Sequence, residues 1–474
     1  MYNLCFIARR PFDDFCPAVY KKIVEKYDSD AKGIFITCDK RESKYIEDKF
    51  SGDAVEIIDL STYMNTHWDE FTLDRLVEYE KKYDAAPIWK YIYTDRFLIY
   101  RDYDYCVHTA CGLFAFWEYV FETYEVDYYY DEVIATLFTY VAYLVGKKTD
   151  TKYLTFLFMR SIGLDLSHHY VINDPFELCA DFPEDYKTKE FTKEQRQIAE
   201  EFLSKFEEKH TKPAFMNMAA KKPKFKKDFL VLPFFYIRQR FFNPCAMDKG
   251  SYIYYRAYEH TMDSMKFYFR YKKCRKYYEK ADLDKKFIYF PLHLQPEAST
   301  IVCARKYEKQ LYFIDSIAKS IPADTVIYLK EHPSLLGSRE ESFYEALKEY
   351  PNVKCIEPWE DSLKLIDKAE CVVTLTGSAG QEAMMLGKPV IIGGNVMYQN
   401  APGVIKLEDV FDNYLDALAS WQKPSREEIL QWMTAYVSCA IPGNTYGLSA
   451  DRLKDDNIEK IADSFMSYVA RFEK

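Results

Sequence analysis

The sequence predicts an α/β protein with two sheet-containing halves. Short apolar, β-branched segments alternate with amphipathic segments of helical length, which is the pattern of parallel strands joined by helices. Two apolar segments of the second half end in polar or glycine-rich clusters, as strands do at the ligand-binding edge of an open sheet. The chain has 474 residues, of which 48% are hydrophobic, so two or three domains with sizeable cores are expected.

The first half begins with a strand and continues as alternating strands and helices. The predicted strands are residues 3–8, 33–37 and 54–58. The predicted helices are residues 16–27, 42–50, 71–83 and 190–208, followed by a largely helical connector over 252–280.

The second half repeats this alternation from about residue 286 to residue 408. One predicted strand begins at Thr325, and three others cover residues 353–356, 371–375 and 390–392. Helical patterns cover residues 339–350 and 362–368, the second of them after a cap by Asp361. The sequence therefore predicts a doubly wound domain in the second half.

A glycine turn, Thr376-Gly377-Ser378-Ala379-Gly380, follows the predicted strand 371–375 and precedes Glu382. We expect Ser378 to cap the next helix, whose first N–H groups and positive dipole end would bind an anion. The two glycines would let a phosphate approach the backbone without meeting a Cβ atom. A capped helix without a ligand would show the same pattern.

A second polar cluster, Lys330-Glu331-His332-Pro333, ends the strand that begins at Thr325. Pro333 stops the strand and favours an extended His332, so the imidazole would lie at the carboxyl edge of the sheet. Two anion-suited strand ends in one sheet indicate a phosphate site. A solvated or structural histidine is the alternative.

Three separated motifs resemble, in the same order, those of the bacterial capsular polysaccharide biosynthesis family. They are Phe290-Pro291-Leu292-His293-Leu294-Gln295-Pro296-Glu297, then Lys330-Glu331-His332-Pro333, and the glycine turn with Glu382 and Gly387-Lys388-Pro389. This family includes the Kdo transferases of capsule assembly and is similar in architecture to GT-B sialyltransferases. The resemblance is detailed over the C-terminal third, and in the first half it is limited to residues 94–98 and the region of Asp131 and Glu132. It implies a GT-B-like fold, in which two Rossmann-like domains face a cleft.

The resemblance also implies the function. It indicates a glycosyltransferase of bacterial capsule or lipopolysaccharide biosynthesis that transfers a Kdo- or sialic-acid-like ulosonic acid from a CMP-linked donor to a glycan or glycolipid acceptor. The donor-binding residues would be His293, Gln295, Glu297, Lys330, His332, Pro333, Thr376, Gly377, Ser378, Ala379, Gly380 and Glu382.

No metal or other cofactor is expected beside the nucleotide-sugar donor. A CMP-sugar carries one phosphate, so a cation is less needed to neutralise it. Asp102-Tyr103-Asp104 has the spacing of an Asp-x-Asp pair, but it lies among tyrosines outside the nucleotide domain. We therefore interpret this pair as solvated.

The sequence is expected to divide into four segments. They are an acceptor-side α/β domain (1–210), a basic linker and helical connector (211–285), a nucleotide-sugar-binding Rossmann-like domain (286–440) and a C-terminal helical segment (441–474).

Glycosyl transfer needs a base for the acceptor hydroxyl, or a nucleophile if configuration is retained. Asp131 and Glu132, after a tyrosine-rich segment, are the first candidates, and Asp95 is the next. A surface acid or a helix cap would look the same in sequence. His332 would assist the reaction at the donor phosphate.

Arg96 and Arg160 are candidates for binding a sugar carboxylate or the acceptor. The guanidinium fork fits a carboxylate through two parallel hydrogen bonds, although a structural salt bridge would use the same residue.

The formal net charge of -10 argues against nucleic-acid partners. The basic run Lys221 to Lys227 is an exception that would suit peripheral contact with the inner membrane or an anionic glycan, or a solvated linker. The 12 cysteines include no C-x-x-C pair, and neither a leader pattern nor an 18-residue apolar run is present. We therefore expect a cytoplasmic protein.

Three other functions fit the same motifs. A nucleotide-sugar 2-epimerase would act on a UDP-sugar without an acceptor, and a polyol-phosphate transferase would use a CDP-linked donor. A catalytically silent glycan-binding or assembly subunit would make no product.

Overall fold

The computed structural model describes residues 2–28, 30–50, 55–99, 101–159, 165–209, 223–242, 249–253, 257–307, 309–333, 336–407, 414–447 and 449–472. The strands are β1 Asn3–Ile7, β2 Lys32–Thr37, β3 Val55–Asp59, β4 Tyr128–Tyr130, β5 Lys152–Phe158, β6 His168–Ile172, β7 Lys286–Leu292, β8 Thr325–Glu331, β9 Val353–Ile356, β10 Cys371–Thr374, β11 Val390–Ile392, β12 Val404–Lys406 and β13 Ile441–Pro442.

The α-helices are α1 Phe15–Lys26, α2 Lys40–Lys49, α3 Leu60–Thr66, α4 Leu73–Lys82, α5 Trp89–Ile92, α6 Tyr103–Thr123, α7 Leu137–Thr149, α8 Lys193–Lys209, α9 Leu232–Phe242, α10 Ala257–Cys274, α11 Ala298–Ile301, α12 Gln310–Ser320, α13 Glu341–Ala346, α14 Ser362–Lys368, α15 Ser378–Met385, α16 Tyr414–Ser420, α17 Arg426–Ser438 and α18 Asp455–Phe472.

Two sheets organise the molecule. The first has the order β13-β6-β5-β4-β1-β2-β3 and the second the order β12-β11-β10-β7-β8-β9. Every pairing in the second sheet is parallel, and the first sheet is parallel from β5 to β3, with β6 and β13 added in antiparallel pairings. The predicted α/β class with two Rossmann-like halves is confirmed.

Each sheet is covered by apolar packing on both faces. In β1, Leu4 and Phe6 belong to one buried cluster and Cys5 and Ile7 to another. Successive side chains of a strand point to opposite faces, so a continuous apolar run is what a strand buried on both faces requires. The second sheet is built in the same way.

The end of the chain packs against the first half. β13 pairs with β6, and α18 packs on α1 with Ile461 and Phe465 buried beneath it. A long apolar stripe on α18 meets the outer face of the first sheet, as an amphipathic helix does.

Most predicted elements are confirmed. The helix predicted over 339–350 differs, because it consists of α13 and the 3₁₀ turn Leu347–Glu349. After β4 the chain leaves the strand at Asp131, whose side chain accepts a hydrogen bond from the Glu132 N–H at 2.7 Å, and α7 begins at Leu137. Across the residues described above, no helix combines the length and the apolar character needed to cross a membrane.

Candidate functional site

A cavity of about 250 Å³ opens at the carboxyl edge of the second sheet, where β7, β8 and β10 end. Ligands of open α/β sheets bind at this edge. Eight of the predicted donor-binding residues line it: His293, Glu297, Lys330, His332, Gly377, Ser378, Ala379 and Glu382. The other four, Gln295, Pro333, Thr376 and Gly380, do not belong to its lining.

His293 is held in one tautomer by its neighbours. The Leu375 N–H donates to Nε2 at 3.0 Å, and the Thr374 hydroxyl lies 2.9 Å from the same nitrogen. Because a backbone N–H can only donate, Nε2 is the acceptor and Nδ1 carries the proton. Burial, followed by the charges of Arg339 and His332, lowers the pKa of His293 to about 3. His293 is therefore neutral at pH 7.

The Nδ1–H group of His293 remains available to a ligand. Among the described residues no hydrogen bond to Nδ1 is found, while Gln310 fixes the main chain by accepting from the His293 N–H at 2.9 Å and donating to its carbonyl at 3.1 Å. A half-buried N–H donor on a cavity wall suits an anionic or carbonyl oxygen.

The helix after the glycine turn is not capped as predicted. Gly377 is the N-cap residue and Ser378 is the first helical residue, with no side-chain cap hydrogen bond. The Thr374 hydroxyl instead holds the turn before the helix, because it accepts from the Gly377 N–H at 3.0 Å. The N–H groups of Ser378 and Ala379 have no acceptor within the described chain, so they are the donors that this helix start offers.

The two glycines serve internal packing, and the approach of a phosphate to this turn stays a prediction. A Cβ at Gly377 would lie 2.9 Å from Cε1 of His293 and 2.9 Å from the Thr374 hydroxyl. A Cβ at Gly380 would collide with the Tyr398 hydroxyl, which donates to the Gly377 carbonyl at 2.5 Å. Both glycines let neighbouring side chains of this protein approach the turn.

The end of β8 brings the Lys330 ammonium to the cavity, next in sequence to the Glu331 carboxylate. The buried Lys330 donates to the Ser362 hydroxyl at 2.8 Å. Glu331 accepts from the hydroxyls of Tyr344 at 2.6 Å and Tyr278 at 2.7 Å, and lies 3.3 Å from Nε of Arg339. Since Arg339 and two hydroxyls satisfy Glu331, the Lys330 ammonium adds a positive charge to the cavity wall beside a carboxylate that is already compensated.

His332 is exposed at the mouth of the cavity. Partial desolvation, followed by the positive charge of Lys330, lowers the pKa of His332. Its imidazole is therefore uncharged at neutral pH and can donate only one hydrogen bond.

Two further carboxylates, Glu297 and Glu382, line the cavity. Glu297 accepts from the Ser299 hydroxyl at 2.8 Å, and Glu382 is buried within α15. Gln295 instead binds Gln310, whose Nε2 donates to it at 2.7 Å, so it holds the loop after β7 and does not face the cavity. Carboxylate oxygens beside an anion site suit ligand hydroxyl groups.

Two further cavities continue along the edge towards β11 and β12. One, of about 70 Å³, is lined by Thr376 and Ser378 of the second half and by Phe176 and Glu177 of the first. The next, of about 370 Å³, includes Arg305, Lys306 and Lys406. Residues from both halves therefore line a continuous cleft.

The three candidate carboxylates of the first half have different environments. Asp95 is fully buried, and its two oxygens accept from the N–H groups of Phe97 and Leu137, both at 2.7 Å. Its position is that of a cap for α7. Glu132 is exposed, 3.9 Å from the Arg9 guanidinium.

Asp131 differs from the other two candidate carboxylates. It is 2% exposed, and its Oδ2 has no hydrogen-bond partner within the described part of the chain. Burial raises its pKa to about 6, against the opposing charge of Arg9. Val133, two residues on, packs against apolar clusters of both halves, so this loop lies at their junction.

The other predicted residues do not belong to the lining of this cavity or lie outside the described residues. Arg96 is exposed, and Arg160 lies outside the described residues, as do Lys221 and Lys222 of the basic run. Asp102 caps α6 by accepting from the Tyr105 N–H at 2.8 Å.

Sequence reasoning missed Ser362, Tyr289 and Arg339. Ser362 and Tyr289 line the cavity, and Arg339 links Glu331 to the His293 carbonyl. Ser362 directly follows the Asp361 cap at a predicted strand-to-helix junction, which was the available signal. Tyr289 lies inside an apolar strand and Arg339 in a charged segment, so neither stands out in the sequence.

Comparisons with known proteins place the chain in a family. No curated protein matches it significantly. Similar solved structures include the beta Kdo 2,4 transferase KpsC of Thermosulfurimonas dismutans, with 15% identity over 72% of this chain and 87% of that one and a TM-score of 0.36. Another is the UDP-GlcNAc 2-epimerase of Methanocaldococcus jannaschii, with 13% identity over 92% and 99% and a TM-score of 0.26.

These structural likenesses have TM-scores below 0.5 and carry no weight in the assignment. The match that does is to the family described as "Capsule polysaccharide biosynthesis protein", over residues 187–432, just over half of the chain. This region contains α8, the whole second sheet and the cavity with its lining residues. The chain therefore belongs to the capsule polysaccharide biosynthesis protein family.

Proposed function

We propose that this protein is a glycosyltransferase that transfers a sugar from a CMP-linked donor, a Kdo- or sialic-acid-like ulosonic acid, to a glycan or glycolipid acceptor. The observation that carries the proposal is the convergence of hydrogen-bond donors on the 250 Å³ cavity. They are Nδ1–H of His293, the imidazole of His332, the Lys330 ammonium and the N–H groups of Ser378 and Ala379.

This set of donors suits one phosphate group. Backbone N–H groups at a helix start and a single ammonium can bind a phosphate monoanion and stabilise the extra charge that appears on it when the sugar leaves. The donor site that we propose therefore works without a divalent ion.

The carboxylates of Glu297 and Glu382 provide hydrogen-bond acceptors for the other groups of such a ligand. A nucleotide sugar places hydroxyl groups on either side of its phosphate, and carboxylates accept hydrogen bonds from them. A phosphate site flanked by hydroxyl acceptors supports a nucleotide sugar over a simple phosphate ester.

We assign the base to Asp131. Its buried, unpaired Oδ2 and its pKa of about 6 fit a group that is mostly ionised at neutral pH and still able to take up a proton. The loop that carries it lies where the two halves meet.

A nucleotide screen tests the proposal. We expect CMP or CDP to raise the melting temperature more than UDP or GDP, with EDTA present, and a ligand at 100 times its Kd to stabilise the fold by about 2.7 kcal/mol. Stabilisation by UDP alone would favour the epimerase, and a strict need for magnesium would refute the metal-free donor site.

Product analysis then separates the remaining functions. Incubation with a CMP-sugar and a glycan should yield CMP and a new glycoside. CMP with a new phosphodiester from a CDP-polyol would instead show a polyol-phosphate transferase. Nucleotide binding without any product would leave an assembly subunit.

A further inference from the structure

The helix α9 and the 3₁₀ turn Lys227–Val231 before it carry an exposed apolar stripe. Leu230, Phe234, Ile237 and Phe241 are 74%, 60%, 52% and 74% exposed. Intervals of four, three and four residues place these side chains along one side of a helical chain. Single exposed apolar residues are common on proteins, but a continuous row on one helix marks an interaction surface.

The segment is anchored at its start and by packing on α10. Phe225 stacks edge-on with Phe229 at 5.3 Å between ring centroids and with Tyr268 of α10 at 5.8 Å, and α9 packs against α10. The apolar stripe is thus presented outward from a helix pair that is itself packed on the second half through α13.

The charge around the stripe is opposite to that of the whole chain. Residues 223–242 contain five Lys or Arg and one Asp, whereas the chain has a net charge of -10. Lys224, Lys226, Lys227 and Arg238 are all exposed beside the stripe. The complementary partner is therefore anionic as well as apolar.

The length of α9 determines how it could meet a bilayer. Its 11 residues span about 16 Å, against about 30 Å for the hydrocarbon core, so it cannot cross. A short helix with exposed apolar side chains and basic neighbours lies in the plane of the membrane, with its apolar side chains at the boundary of headgroups and acyl chains.

We propose that this stripe docks the protein onto an anionic lipid bilayer. Leu230, Phe234, Ile237 and Phe241 enter the interface, and Lys224, Lys226, Lys227 and Arg238 bind anionic headgroups. The proposal rests on this surface alone. If the proposed function also holds, docking brings the cleft to the surface where a glycolipid acceptor is anchored.

Vesicle co-sedimentation of the full chain tests the docking. We expect binding to vesicles of phosphatidylglycerol and phosphatidylcholine, little binding to phosphatidylcholine alone, and weakening by salt. Phe234→Ser with Phe241→Ser should reduce the affinity by at least about tenfold, and Lys224→Glu with Lys226→Glu should do the same.

A matched control removes two exposed apolar side chains elsewhere. Tyr312 on α12 and Leu415 on α16 are 66% and 52% exposed, so Tyr312→Ser with Leu415→Ser should bind vesicles as the unchanged protein does. All variants should keep the melting temperature and the shift produced by CMP, which separates failed docking from failed donor binding.

Two results would overturn the proposal. One is vesicle binding that is absent from the unchanged protein or equal in the α9 and control variants. The other is a concentration-dependent dimer in sedimentation velocity that the Phe234→Ser and Phe241→Ser changes abolish, without vesicle binding. That outcome would assign the stripe to a second copy of the chain.

Discussion

Two histidines at the cavity have different attachments although both are uncharged at neutral pH. His293 is fixed by Leu375 and Thr374, so its ring belongs to the fold as well as to the site. His332 is exposed at the cavity mouth. Replacing each residue should therefore separate a structural from a functional contribution.

We expect His332→Ala to reduce kcat/KM by roughly thirty- to a thousandfold, because a contact that strengthens as charge builds on the phosphate supplies about 2 to 4 kcal/mol in the transition state. Asn, which keeps a neutral donor, should recover part of the loss. The melting temperature without ligand should hardly change, whereas His293→Ala should lower it. His67→Ala, in the first half, is the kinetic control. A destabilised His332→Ala protein with normal turnover would contradict the assignment.

The pH profile of the reaction should report Asp131. Its pKa is raised to about 6, and a general base works only when deprotonated, so kcat/KM should fall about tenfold per pH unit below that value. Asp131→Asn should lose on the order of a hundredfold in turnover, with donor affinity unchanged and the acid limb absent. The exposed Glu132→Gln is the matched control and should retain activity. The reverse pattern would move the base to Glu132.

At the scale of the element, the turn between β10 and α15 depends on three contacts that its local sequence does not reveal. Thr374 accepts from the Gly377 N–H, Tyr398 donates to the Gly377 carbonyl, and the His293 ring lies over Gly377. This wall of the cavity is therefore held in shape by side chains from β10 and from the loops after β7 and β11.

Gly380→Ala tests this packing. The added methyl group would meet the Tyr398 hydroxyl, so we expect a loss of about 1 to 3 kcal/mol in the free energy of unfolding. Tyr398→Phe removes the hydroxyl, and the double variant should lose less than the two single changes together. Urea denaturation of the four proteins measures the coupling, and strict additivity would contradict the contact.

Ser378→Ala is the companion measurement for the turn. Removing an N-cap serine typically costs about 1 kcal/mol, but Ser378 makes no cap hydrogen bond, so the change should be less than about 0.5 kcal/mol. A loss of a full N-cap contribution would restore Ser378 as the cap.

At the scale of the whole molecule, the two halves share their packing. Arg305 of the second half lies over the rings of Tyr91 and Tyr140 of the first, at 5.3 and 5.0 Å from their centroids. One apolar cluster contains Tyr170 and Ile172 of β6 together with Trp432 and Tyr436 of α17. Such shared burial couples the stability of the two halves.

Acid should destabilise the protein through His169, which is buried on β6 beneath the returning chain. Its Nδ1–H donates to the Gly443 carbonyl at 3.0 Å, and burial lowers its pKa to about 4. The unfolded state therefore binds more protons between pH 6.5 and 4, so the contribution of His169 is present above that window and is lost as the pH falls, by up to about 3 kcal/mol.

Urea denaturation at pH 7 and pH 4.5 checks this expectation. His169→Asn should be less stable than the unchanged protein at pH 7 but should lose less stability on acidification. Asp95 and Asp131, whose pKa values are raised to about 6, act in the opposite direction in both proteins, so the difference between the two profiles isolates His169. Parallel profiles would contradict the lowered pKa.

The sequence by itself determined the α/β class, most of the predicted strand and helix positions, and the location of the candidate site at the ends of β8 and β10. These features depend on hydrophobic periodicity and on polar clusters after apolar runs, which are local properties of the chain. Eight of the twelve predicted donor residues line the cavity for the same reason, because the carboxyl ends of adjacent parallel strands share one edge.

Only the tertiary structure decided what those residues do there. The tautomer of His293 depends on Leu375 and Thr374, about 80 residues away in sequence. The space beside the two glycines depends on His293 and Tyr398, and the contrast between Asp95 and Asp131 depends on which backbone N–H groups reach them. Hydrogen-bond partners, burial and pKa shifts are set by contacts between distant segments. The pattern of residues along the chain does not show those contacts.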